Sequence, residues 1–121
     1  MQNKTCSQTI TVTESQTATE YGSGLLPVYA TPALIGFMEN TAMQLIELPA
    51  ESSSVGISIS MKHLKASPVG AKITCTVAIK EVDGRKYSFE IKATDESGDL
   101  IGEATHERFV VNIEKFLSKL K

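Results

Sequence analysis

The sequence predicts an α+β fold in which an antiparallel β-sheet wraps around one long central helix. Only one long helical pattern is present, Thr31 to Glu47 (TPALIGFMENTAMQLIE), and its apolar residues fall on nearly every face, as expected of a helix covered by a curved sheet. The runs after it alternate apolar and polar residues with the period of a strand that has one buried face. Short turn-forming clusters (Ser67-Pro68-Val69-Gly70, Asp83-Gly84, Asp95 to Gly98) separate those runs, so neighbouring strands are expected to be antiparallel and to form a meander. A chain of 121 residues suffices for one core and not two, giving a single domain over residues 1–121.

Composition narrows the functional classes. Hydrophobic content of 41% and charge of 21% describe an ordinary soluble globule. Twelve basic against fourteen acidic residues leave a net charge of -2, which gives no electrostatic case for nucleic acid or an anionic membrane surface. The longest near-uncharged stretch, Tyr21 to Met38, is broken by glycines and prolines, so neither a signal peptide nor a spanning segment is expected. Cys6 and Cys75 have no CxxC or metal spacing and are expected to be reduced thiols of a cytoplasmic protein without a metal.

Near the start, Ile10 and Val12 alternate with Thr9, Thr11 and Thr13, predicting a short first or edge strand. A glycine-punctuated loop, Tyr21 to Pro27 (YGSGLLP), then leads into the helix, where it serves as a plain connector or as the mouth of a pocket. Thr31 and Pro32 suggest an N-cap followed by the first helical position, because proline has no N–H to lose there. Glu39 is the sole charge between Glu20 and Glu47, and its helical neighbours are Ile35, Gly36, Ala42 and Met43. A carboxylate on so apolar a stripe needs a donor partner, a task, or a rotation of the helix that brings it to water.

Beyond the helix, Val55, Ile57, Ile59, Met61 and His63 alternate with Gly56, Ser58, Ser60 and Lys62, which places His63 on the apolar face of a strand packed against the helix. A histidine there is either a hydrogen-bonded core residue or a partner of Glu39. The next strand, Ala71 to Val82, puts Ile73, Cys75, Val77 and Ile79 on one face. A three-residue loop, Val82 to Gly84, would pair Ile79 with Tyr87, Val77 with Phe89 and Cys75 with Ile91. Leu100 to Val111 forms the last strand, on which His106 and Arg108 suggest a surface or structural pair, and IEKFLSKLK a short amphipathic end helix. A sheet wrapped in this order around one helix describes the hot-dog fold.

From about Leu26 to Val111 the chain resembles the hot-dog thioesterases of the fluoroacetyl-CoA thioesterase family. The matching pieces are ATPALIGFMENTA with Thr31 and Glu39 eight apart, VGISISMKH with Gly56 and His63 seven apart, the ASPVG turn, EVDGRKYSF and THERFVV. The resemblance implies an acyl-CoA thioesterase with catalytic Thr31, Glu39 and His63, a thioester-contacting Gly56, and a homodimer, or a tetramer, with its sites between subunits. It implies no cofactor beyond the coenzyme A of the substrate. Pro32 and Ala33 at the helix start and Leu26 in the loop would line the substrate site, and Lys62 and Lys65 would meet the nucleotide phosphates. The family's founding enzyme lines a lid before the helix with phenylalanines; this loop has Leu25 and Leu26 instead, so short acyl groups are expected without selectivity for fluorine. The competing readings are a non-catalytic acyl-CoA-binding hot-dog protein and a hot-dog hydratase or dehydratase. The latter typically needs a His with an Asp on the helix, and this helix offers Glu39 without either.

Overall fold

A computed structural model describes residues 4–121. The elements in order are β1 (Thr5–Thr11), one turn of 3-10 helix (Glu14–Gln16), α1 (Ala18–Tyr21), α2 (Thr31–Met43), β2 (Ser52–His63), β3 (Lys72–Asp83), β4 (Lys86–Asp95), β5 (Leu100–Asn112) and α3 (Ile113–Ser118). They form one antiparallel five-stranded sheet in the order β1-β3-β4-β5-β2, with α2 against one face. None of the described helices is long and apolar enough to cross a membrane.

The expected meander holds only for β3, β4 and β5. β2 does not pair with β3; it crosses to the far edge and pairs with β5. The connection Leu64–Ala71 is not a hairpin turn: Val28 bridges to Pro68, and Tyr29 N–H donates to the Ser67 carbonyl, so this segment clamps the entry to the helix. Ala30 N–H donates to the Gln16 carbonyl on the other side, which fixes where α2 begins.

Two bulges change the expected registers. The β3–β4 turn is Gly84-Arg85 and not Val82 to Gly84, with Gly84 at φ 62°. An extra residue at Lys80 then restores apolar pairing in a different register: Ile79 faces Phe89, Val77 faces Ile91 and Cys75 faces Ala93. In β2 the ladder steps from Gly56 opposite Arg108 to Ser58 opposite Glu107, leaving Ile57 unpaired and 51% exposed.

α2 buries Ala33, Leu34, Met38, Thr41 and Ala42 against the sheet, whereas Gly36, Asn40 and Met43 are exposed. The helix is therefore covered on one side only within this chain, and it ends at Met43, short of the expected Glu47. Gly102 lets it lie close: a Cβ there would stand 3.0 Å from Leu34 Cδ2 and 3.4 Å from Met38 Cε. At the other edge β1 is tied to the helix by Gln8, whose amide donates to Asn40 Oδ1 and Thr41 Oγ1, and by the Cys6 thiol, which donates to the Thr41 carbonyl. Cys6 and Cys75 are free thiols, and burial pushes the Cys75 thiol up to about 11.

Candidate active site

Ala30, not Thr31, is the N-cap of α2, and Thr31 is the first helical residue. Its hydroxyl makes no capping bond; it lies 2.9 Å from His63 Nδ1. Thr31 is exposed and His63 half-buried, and the imidazole is braced edge-on by the Tyr29 ring with centroids 6.4 Å apart. Among the described residues, His63 Nε2 is buried without a hydrogen-bond partner. Burial holds the His63 pKa below the usual histidine value, so the neutral ring predominates near neutral pH. Val28, Tyr29, Thr31, His63 and Leu64 are among the walls of a cleft of about 280 Å³ at this end of the helix. Pro32 has no N–H, and the Leu34 N–H is engaged by the Ala30 carbonyl, which leaves Thr31 and Ala33 as the N–H groups the first turn directs outward.

A second constellation lies further along the helix. Here the bulge at Ile57 reverses the expected alternation: Gly56 faces α2, on the same side as Ile59, Met61 and His63, and not the opposite side. A Cβ placed on Gly56 would stand 2.7 Å from Glu39 Oε2, 3.3 Å from His106 Cε1 and 3.4 Å from Arg108 Nη1. The half-buried carboxylate, a buried imidazole and a buried guanidinium thus converge on the one residue without a side chain. Arg108 lies beside Glu39 but is engaged elsewhere: Nε and Nη2 donate to Ser54 Oγ and O, and Nη1 to His106 Nε2.

The two constellations are separate within one chain. Eight helical residues put Thr31 about 12 Å from Glu39 along the helix axis. Seven strand residues put His63 on the order of 20 Å from Gly56. Thr31 meets His63, and Gly56 meets Glu39, but the expected encounter of Glu39 with His63 does not occur within the chain.

The family model of the fluoroacetyl-CoA-specific thioesterase matches residues 12–114. The chain belongs to the fluoroacetyl-CoA-specific thioesterase family. A fluoroacetyl-CoA thioesterase of Streptantibioticus cattleyicolor is 35% identical over 96 residues, which are 78% of this chain and 68% of that protein. A solved structure of the fluoroacetyl-CoA thioesterase superposes with a TM-score of 0.92 at 29% identity, covering 98% of this chain and 93% of the other. A hot-dog-like protein of Thermanaerovibrio acidaminovorans follows at 0.88 and 25% identity, covering 98% and 88%. The fold is the hot-dog fold, and this member of the family is an acyl-CoA thioesterase.

In this thioesterase the two lysines expected at the nucleotide are not equivalent. Lys65 Nζ lies 2.7 Å from both Asp95 Oδ2 and Asp99 Oδ2, and these carboxylates raise its pKa while neutralising it as a phosphate partner. Lys62 stands on the outer face of β2 opposite Glu103, turned away from the helix. Leu25 and Leu26 are 92% and 66% exposed in the loop before the helix. His106 and Arg108, expected as a surface or structural pair, are 1% and 7% exposed and belong to the Glu39 constellation. Their inward spacing of two on a strand was the available signal, and the polar residues around them masked it.

Proposed function

We propose that the protein hydrolyses short-chain acyl-CoA thioesters as a homodimer, each active site combining Glu39 and Gly56 of one subunit with Thr31 and His63 of the other. The observation that carries this reading is the separation just described: the Thr31–His63 pair and the Glu39–Gly56 group lie apart within one chain. The uncovered side of α2, the edge position of β2 and the exposed Ile57 on that strand support a second copy as the missing cover.

In the reaction, water attacks the thioester carbonyl carbon while Glu39 accepts its proton. The developing oxyanion is met by backbone N–H groups, which hold charge best where water is excluded. The C–S bond then breaks, and the Thr31–His63 pair guides the proton that Glu39 took from water to the departing coenzyme A thiolate, which returns Glu39 to its carboxylate form. Glu39→Gln and His63→Ala are each expected to lower kcat by at least about a hundredfold, the loss typical of an acid–base group. Mixing the two inactive variants should restore activity through heterodimers that contain one intact site. Mixed subunits that exchange yet remain inactive would overturn the shared site.

The acyl group is expected to be short, about two to five carbons, with weak discrimination, since one methylene in an apolar pocket is worth about 1–3 kcal/mol. Leu25 and Leu26 stand in place of an aromatic lid, and the cleft at Thr31 and His63 encloses about 280 Å³. The measurement is kcat/KM from acetyl- to palmitoyl-CoA with fluoroacetyl-CoA included. An optimum at long chains, or a strong preference for the fluorinated substrate, would contradict this account.

A further inference from the structure

We propose that His106 is a positioning residue for thioester hydrolysis, acting as a neutral Nδ1–H imidazole that locks the β2 bulge and the Arg108 side chain around Glu39. The inference rests on the thioesterase reading and adds a residue to it.

The two ring nitrogens of His106 have partners of opposite kind. Nδ1 lies 2.7 Å from the Ser58 carbonyl, which can only accept, so Nδ1 carries the proton. Nε2 lies 3.2 Å from Arg108 Nη1, which can only donate, so Nε2 is bare. The tautomer is thus set by the neighbours, and a second proton would face a guanidinium inside the protein. Burial and the Arg108 charge both disfavour the imidazolium, while the Ser58 carbonyl and the Glu39 and Glu107 charges act the other way; the net direction is down.

Each of the two bonds controls one part of the Glu39 surroundings. Ser58 is the residue at which the ladder resumes after the unpaired Ile57, so the Nδ1–H bond holds the bulge that turns Gly56 toward the helix. The Nε2 bond fixes Arg108 Nη1, and Ser54 holds the other end of the guanidinium through Nε and Nη2. Phe89 stacks on the ring with centroids 5.9 Å apart, which leaves the imidazole little room to turn over. His106 itself is 1% exposed, with its Cε1 near the space above Gly56, so its influence on the reaction passes through Gly56 and Arg108.

Nitrogen-15 NMR of the imidazoles in the full-length protein near neutral pH tests the tautomer directly. The expected His106 signal pair is a protonated Nδ1 and a bare Nε2; an Nε2–H or doubly protonated ring would overturn the proposal. His106→Phe keeps a ring against Phe89 and removes both bonds, whereas His106→Asn keeps an amide donor at the Nδ1 position toward Ser58. The phenylalanine variant should lose at least tenfold in kcat with KM changed less than threefold, and the asparagine variant should recover part of that loss. A folded phenylalanine variant with wild-type kcat would refute the assignment. Absence of turnover in the wild-type protein would instead refute the thioesterase reading, whatever the tautomer.

Discussion

The hydrogen that Gly56 carries in place of a side chain is what allows a carboxylate, an imidazole and a guanidinium to share one small space. An added methyl would approach Glu39 Oε2 to 2.7 Å, a separation that real Cβ atoms do not keep. The obstructed atom is the far end of a flexible side chain, so the protein can fold by moving the carboxylate aside. Gly56→Ala is therefore expected to separate activity from stability. Strand glycine to alanine recovers backbone entropy worth about 0.5–1 kcal/mol, which offsets the crowding of His106 Cε1 and Arg108 Nη1. The displaced carboxylate should cost at least about a hundredfold in kcat, as misplacing a catalytic group by an ångström does. Thermal unfolding and steady-state turnover on the same preparation check both halves; unchanged kcat would mean that Glu39 does not act from where it stands.

The strands and the helix show which parts of this architecture local pattern can reveal. Period-two alternation located β2 to β5, and the Pro32 start located α2, because those signals need only a local face and a local cap. Glu39 and His63 stood out by residue type on apolar faces, and Thr31 and Gly56 came from the resemblance, yet which residues meet Glu39 depends on a bulge that alternation does not reveal. Ile57 and Lys80 look like ordinary members of alternating runs, and each inserts one residue that shifts everything beyond it. The pairing of β2 with β5 is likewise set by the clamp of Val28 and Tyr29 on Pro68 and Ser67, a tertiary contact invisible to turn chemistry. The apolar residues on every face of α2 suggested a helix enclosed by its own chain, whereas Gly36, Asn40 and Met43 leave one face exposed. Packing of the inner face gives a direct test. Leu34 is fully buried and meets the sheet where Gly102 has no side chain, so Leu34→Ala should cost about 2–5 kcal/mol through lost burial and a residual cavity. Denaturant unfolding would show it as a lower midpoint with an unchanged slope, and a loss below about 1 kcal/mol would mean that the helix is not seated on Gly102.

At the scale of the whole molecule, the buried polar groups make stability depend on pH in a direction fixed by their surroundings. His63 and His106 are both held below the ordinary histidine value, His63 by burial and His106 by burial with Arg108 beside it. In the unfolded chain each titrates near its ordinary value of about 6.5. Above that value both states hold the rings neutral, and the folded form has its full stability. As the pH falls below about 6.5 the unfolded chain takes up protons that the folded one refuses, so stability declines until the folded rings also titrate. Asp95 adds a later loss, since Lys65 and the N–H groups of Ser97 and Asp99 hold its carboxyl below the usual range. That contribution is present at neutral pH and disappears as acidification reaches the folded Asp95. The unfolding temperature should therefore fall from pH 7 to pH 5, and His106→Phe, which has no proton to bind there, should show a shallower decline than the wild type. Calorimetry across that range at fixed ionic strength and protein concentration decides the matter. A wild-type unfolding temperature that rises toward pH 5, or a His106→Phe slope as steep as the wild type's, would show that the buried imidazole is not held neutral by its place between Ser58 and Arg108.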